Sequence, residues 1–466
     1  MTINRSRKRG VWVTVIAVVF CAAVTGAQTP SAPDPHVPVA AAAALQTSSN
    51  IAGGHPTVPQ QSSSSSDDHA LAGQEVTVQE LVGIALARNP AIKGAVEHFQ
   101  AQRARVPQAR TLPDPTVSGG WMGKITPFEV EHGFPPSYRG LMVQEKFPYP
   151  GKLKLRGQIA DRQAEAAGWE AEQTRRQVVS EVKVAYYSYF YSTKAIEITE
   201  KNKNLLEKLE SIAEARYRVG KGIQQDVLRA QIEVSRIDQK LIVLRQQEKT
   251  AQARLNTLLY RDPESPLPPP APVTPPQLTT SLQDLYALAH TNDPALEQDR
   301  RMVEGGRDAV ELAQKAYKPD FSVSYSYQQR PDLQDSNGFT VGVNIPVFFR
   351  SKQREGVIEA SHELIGAKRE LDNRQTTVDF EIKQQYLAAT ASRDLMNLYS
   401  KAIVPQSSLA LESSMSAYEV GKVDFLSMLD NFTYVLDYEV NYYQELSNFE
   451  TALSRLEPLV NRDLTE

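Results

Sequence analysis

Cysteine is almost missing from this chain. Cys21 is the only one in 466 residues, so no intrachain disulfide can form and no site with two sulfur ligands can be built. Histidine and methionine, 7 of each, are sparse, and none of them falls at metal-ligand spacing. No resident metal or cofactor is therefore expected. An excess of basic charge is missing too. The formal net charge is −4, without the basic footprint of a nucleic-acid partner. Beyond residue 24 no apolar run reaches the length of a membrane-crossing helix. Proline, with 29 copies, is absent from residues 155–218, and residues 353–419 contain Pro405 alone. Two such stretches permit helices about 100 Å long at 1.5 Å per residue, far longer than a globular core uses.

The N-terminus carries what the rest lacks. Arg5, Arg7, Lys8 and Arg9 precede an apolar segment, residues 11–24, and Thr25-Gly26-Ala27 offers small residues for cleavage. Residues 1–27 are predicted to be a secretion signal. A lipoprotein cut before Cys21 is the alternative, disfavoured by bulky Phe20 at the preceding position. Residues 28–73 are rich in Ala, Pro and Ser and read as a disordered linker, with His36, His55 and His69 scattered along it. A secreted chain without a helical span is either a soluble periplasmic protein or an outer-membrane β-barrel.

The remainder says the same thing twice. Leu81 leads to Asn89-Pro90-Ala91, and Leu285 to Asp293-Pro294-Ala295. Later, Tyr217-Arg218-Val219-Gly220-Lys221 returns as Tyr418-Glu419-Val420-Gly421-Lys422. The two landmarks keep nearly the same separation in both copies, so the unit is far longer than a solenoid repeat. The repeats are placed at 74–262 and 281–461, joined by a proline-rich strap at 263–280.

Each repeat opens on a short amphipathic helix, with stripes Leu81, Ile84, Ala85, Leu86 and Leu282, Leu285, Leu288, Ala289. The residue before proline avoids the α region, so a break belongs at Asn89 and Asp293. Pro113-Asp114 and Pro319-Asp320 stop the resumed helix. A β-hairpin is predicted next, at 115–147 and 320–348. Phe321, Val323, Tyr325 and Tyr327 alternate with serines, and Phe339, Val341, Val343, Ile345 and Val347 alternate with Thr340, Gly342, Asn344 and Pro346. Asn337-Gly338 offers turn chemistry between them. One bulky apolar face and one small polar face suit a sandwich strand or a lipid-facing barrel wall. Four strands cannot close a barrel, so a membrane reading requires several chains to share one. A long helical hairpin follows, reversing at Gly220 or Gly421. Its return helix has heptad spacing, as in Ile223, Val227, Ala230, Val234, Ile237, Leu241 and Leu244, and again from Met428 and Phe432 to Leu456.

These elements, in this order from Val76 to Val460, resemble the TolC-type outer-membrane efflux channel family. The matching motifs are the paired Asn/Asp-Pro-Ala openings, the Pro-Asp before each first strand, the corner Phe147-Pro148-Tyr149-Pro150-Gly151-Lys152 and the two Tyr-x-Val-Gly-Lys reversals. The resemblance implies a mainly α fold with a membrane β-barrel: a homotrimer sharing a barrel of about 12 strands, continued by an α-helical coiled-coil tunnel through the periplasm. It implies a periplasmic adaptor and an inner-membrane pump, of the resistance-nodulation-division type, as partners. It also implies a non-enzymatic duct embedded in outer-membrane lipid. The Val-Gly tips would dock the adaptor, through Arg218, Val219, Gly220, Lys221, Val420, Gly421 and Lys422, with Arg216 beside them. The gate would use Tyr418 and Asp226, joined by a hydrogen bond, while Val423 stands where the family carries an arginine. The constriction positions are Ser427 and Asp430, with Asp424 near. The Phe147–Lys152 corner and Pro113-Asp114-Pro115 are similar to the heavy-metal branch, so metal cations are the expected cargo and drugs or small organic solutes the alternative. A periplasmic coiled-coil scaffold would explain the helices but not the hairpins. An enzyme built on Glu97-His98 and Glu131-His132 would need further ligands that the sequence does not place nearby.

Overall fold

The computed structural model describes residues 75–123, 129–130, 132–133, 136–331 and 333–464. The signal, Cys21, the linker and Glu131 lie outside them. Each repeat runs helix, helix, two strands, long helix, return helix. The first comprises α1 (Val78–Arg88), α2 (Pro90–Arg110), β1 (Thr116–Met122), β2 (Tyr138–Phe147), α3 (Lys152–Arg218) and α4 (Gln224–Leu258). The second comprises α5 (Leu282–Asn292), α6 (Pro294–Lys315), β3 (Asp320–Gln329), β4 (Ser336–Asn344), α7 (Gln353–Leu398), α8 (Val404–Glu419) and α9 (Phe425–Val460).

The helix breaks sit where proline puts them. Asn89 closes α1 and caps α2, its side chain accepting from Ala91 N–H at 2.9 Å while its Nδ2 donates to Leu258 O at 2.9 Å. Asp293 does the same for α6 through Leu296 N–H at 2.9 Å. The kink is thereby a joint, since Asn89 ties α2 to the end of α4. The strap is held on the same side. Val76 pairs with Pro270, its N–H donating to Pro269 O and its carbonyl accepting from Ala271 N–H, both at 2.9 Å. The Tyr186 hydroxyl on α3 donates to Val76 O at 3.1 Å.

α3 is one helix of 67 residues, about 100 Å by helical rise. Its copy is not continuous. α7 gives way to a π-helical segment, Tyr399–Ile403, before α8. Pro405 lacks an N–H and its ring would strike the carbonyl four residues back, and one wider turn absorbs both faults. The return helices bury the expected seam: Ala230, Ile237, Leu241, Leu244, Leu255 and Leu258 on α4, and Met428, Phe432, Val435, Leu446, Phe449, Leu453 and Leu456 on α9. Ile223 does not join it; it is the exposed residue before α4. α3 packs against α2, α4, α6 and α9, so it is the spine of both repeats.

The four strands form one antiparallel sheet in the order β1-β2-β3-β4. β2 pairs with β3, from Arg139 opposite Gln329 to Phe147 opposite Phe321, and this joins the two repeats. One face carries Val117, Leu141, Val143, Phe321, Tyr325, Phe339, Val341 and Val343. They stay exposed, Phe339 to 72%. The other face carries Ser118, Gly140, Gln144, Ser322, Ser324, Ser326, Thr340 and Gly342. Two expectations fail here. Asn337-Gly338 is not the turn but lies inside β4, opposite Tyr327 and Ser326. Asn337 accepts from the Tyr325 hydroxyl at 2.7 Å, and a Cβ at Gly338 would meet only the Ser326 hydroxyl, at 2.6 Å, with the Ser326 carbonyl at 4.0 Å. β4 also ends at Asn344, leaving Ile345 and Val347 beyond the strand, because Pro346 has no N–H for a ladder.

Candidate functional site

Two tight reversals end the helical hairpins, and both use the same cap. Gly220 N–H donates to Tyr217 O at 3.0 Å and Lys221 N–H to Arg216 O at 2.8 Å. Gly421 N–H donates to Tyr418 O at 3.0 Å and Lys422 N–H to Ala417 O at 2.8 Å. The pattern satisfies the last helical carbonyls and requires a left-handed residue, with φ of 68° at Gly220 and 76° at Gly421. A Cβ at Gly220 would meet nothing within 4 Å. Backbone conformation, not space, selects glycine there. Val219 and Val420, 68% and 69% exposed, stand beside the glycines. Lys221 and Lys422 are exposed, and Arg218 is paired with Glu214 one turn back.

Inside the reversals the two copies diverge. Tyr217 is exposed, whereas its counterpart Tyr418 is 3% exposed and stacks edge-on against Phe425 at 5.5 Å. Arg216 crosses from the first hairpin to the second. Its guanidinium donates to the carbonyls of Tyr418 and Glu419, also reaches Lys221 O, and lies 4.6 Å over the Tyr418 ring. One side chain therefore clasps both tips. Its counterpart in the second copy is Ala417, so the inequality of the repeats carried the signal for this residue.

Asp226 and Tyr418 share this buried ground without the hydrogen bond expected between them. The Tyr418 hydroxyl is buried and unpartnered. Its pKa is raised by burial and then by the nearby Asp226 charge. The Asp226 carboxyl is raised by burial and by Asp424, against the pull of Arg229 and Arg216. Asp424 precedes α9 and accepts from the Ser427 hydroxyl, which holds its carboxyl below the usual range. Ser427 and Asp424 are thus one unit. Asp430 is exposed on α9 and Val423 half-buried before it. Glu97 and His98 sit on α2, where His98 bonds Gln102 at 2.9 Å. His132 is exposed in the segment between β1 and β2.

The profile of the family described as "Outer membrane efflux protein" matches residues 81–259 and 285–462, one match to each repeat and together most of the chain. The chain belongs to the outer membrane efflux protein family. It is a channel of the outer membrane with a periplasmic extension, a transport duct rather than an enzyme. Solved structures share the fold. The outer-membrane channel OprN is 17% identical with a TM-score of 0.71, covering 82% of this chain and 89% of that one. VceC from Vibrio cholerae is 17% identical with a TM-score of 0.70, over 82% and 95%. CusC is 15% identical with a TM-score of 0.71, over 82% and 91%. No curated protein matches the chain.

Proposed function

We propose that three copies of this efflux-family chain close one barrel and form a passive export duct, driven by an inner-membrane pump through a periplasmic adaptor. The observation that carries the reading is the sheet. It has four strands, an exposed apolar face and unpaired edges at β1 and β4. Lipid does not tolerate open edges, and four strands are too few to close alone. A trimer brings β4 of one copy to β1 of the next.

The reversals are the adaptor-docking tips in this reading, with exposed Val219 and Val420 as the apolar contacts and Lys221 and Lys422 around them. Asp226, Tyr418, Asp424, Ser427 and Asp430 form the gate and constriction. Three-fold repetition of Asp430 would give a ring of carboxylates that draws cations. That acidic ring supports heavy-metal cations as cargo, moved by a pump of the resistance-nodulation-division type. The test is export by the whole system. A strain lacking this chain should become sensitive to divalent metals and regain resistance with the chain restored; sensitivity to organic drugs alone would refute metal cargo. Detergent extracts of the outer membrane should hold a heat-sensitive trimer, and a soluble periplasmic monomer would refute the shared barrel.

A further inference from the structure

Where the sheet passes into the helices, a cavity of about 600 Å³ opens between the start of α3, the end of α6 and the start of α7. Lys152, Arg156, Lys318 and Lys352 line it. The one carboxylate among them, Asp320, is already engaged: Lys152 Nζ and Tyr149 N–H each donate to its Oδ1 at 2.7 Å. Arg156, Lys318 and Lys352 are exposed and have no ion-pair partner among the described residues. Four cations thus face one carboxylate, and the cavity keeps a net positive charge.

The backbone adds to it. α3 begins after Gly151 and α7 after Lys352, and neither start has a side-chain cap. Of the two, α7 brings its first residue, Gln353, to this cavity, whereas the Lys152 N–H of α3 already donates to Tyr149 O at 3.1 Å. The Gln353 amide on the wall has a buried oxygen without a donor; turned end for end, it presents its NH₂ instead.

The neighbouring surface identifies the kind of anion. Ile345 and Val347, exposed just beyond the end of β4, border the cavity with Phe348, 74% exposed. Apolar surface and unpaired cations therefore meet on one edge. Strands of 9 and 10 residues span about 30 Å, the thickness of a hydrocarbon layer, so their ends lie at headgroup depth. A soluble anion would satisfy the cations and leave the apolar border in water. A phospholipid satisfies both.

We propose that this cavity binds the phosphate of an anionic phospholipid from the periplasmic leaflet, with the acyl chains lying along the apolar face of β4. The proposal rests on that face meeting lipid, and the test separates the two. Full-length trimer is placed in vesicles of phosphatidylcholine, and binding of phosphatidylglycerol is followed by native mass spectrometry of the extracted protein. Each basic residue near an anionic headgroup strengthens binding about fivefold, so Arg156→Gln, Lys318→Gln and Lys352→Gln together should weaken phosphatidylglycerol roughly a hundredfold. Lys368→Gln with Arg369→Gln, on the exposed side of α7, should change nothing. Equal binding by the triple variant, or equal loss in the control, overturns the site. Displacement by millimolar inorganic phosphate assigns it to a soluble anion and overturns the lipid. A chain that fails to enter vesicles overturns the membrane face as well, whereas one that enters without preferring phosphatidylglycerol overturns the lipid site alone.

Discussion

Removing the Arg216 guanidinium should loosen the closed tip. Two of its hydrogen bonds reach carbonyls of the opposite hairpin, Tyr418 O and Glu419 O, and its cation faces the Tyr418 ring at 4.6 Å. Charge-assisted hydrogen bonds contribute about 1.5 kcal/mol each and a half-exposed cation–π contact about 0.5 kcal/mol. Arg216 is half-buried, so solvent competition reduces the sum to about 2 kcal/mol. Any opening that parts the two hairpins must break these contacts. Arg216→Ala should therefore raise the open-to-closed ratio about 30-fold. Arg216→Lys keeps the charge but not the planar fork and should fall between. Single-channel recording in planar bilayers reads the open fraction, and uptake of a bulky antibiotic reads it in cells. Unchanged open probability in Arg216→Ala, with trimers intact, would refute the clasp.

Glu450 offers a pH signature. It is 1% exposed on α9, and burial raises its carboxyl to about 8, with Glu457 adding to the shift. Its folded pKa lies above the unfolded one, so its contribution to stability is full below about pH 4.5 and is lost as pH rises through 8, by up to about 5 kcal/mol. Glu450→Gln should flatten thermal melting against pH over that window, and an unchanged slope would count against a buried neutral carboxyl. Gly220→Val with Gly421→Val places β-branched residues at positive φ, costing on the order of 1–2 kcal/mol per site; export should fail while barrel assembly persists, as seen by drug or metal sensitivity beside trimer electrophoresis. Asp430→Ala should lower cation preference in reversal-potential measurements, and unaltered selectivity would remove the carboxylate ring.

Much of the fold is legible without coordinates because its signals are local. The Asn89-Pro90 and Asp293-Pro294 breaks, the glycine caps and the heptad seam on α9 each depend on residues within a few positions of one another. The errors also have local causes. Asn337-Gly338 has the chemistry of a turn, and only pairing with Tyr327 and Ser326 shows that it lies inside a strand. Ile345 and Val347 keep the alternation after Pro346 has ended the ladder. Residues 353–419 read as one long helix despite Pro405, and the structure relieves the clash of that proline with a π turn.

The sequence by itself determined the duplication, the order of helix, hairpin and helical hairpin, and the two glycine reversals. These follow from spacing and backbone preference, which the chain carries at every position. The tertiary structure alone decided that Arg216 reaches across to Tyr418, that Asp226 and Tyr418 approach without bonding, that Glu450 is sealed from water, and that three cations with no ion-pair partner among the described residues gather beside Ile345 and Val347. Each joins residues remote in sequence or sets burial by packing between helices. Repetition cannot supply that, because two equal copies come to occupy unequal surroundings when α3 packs against both.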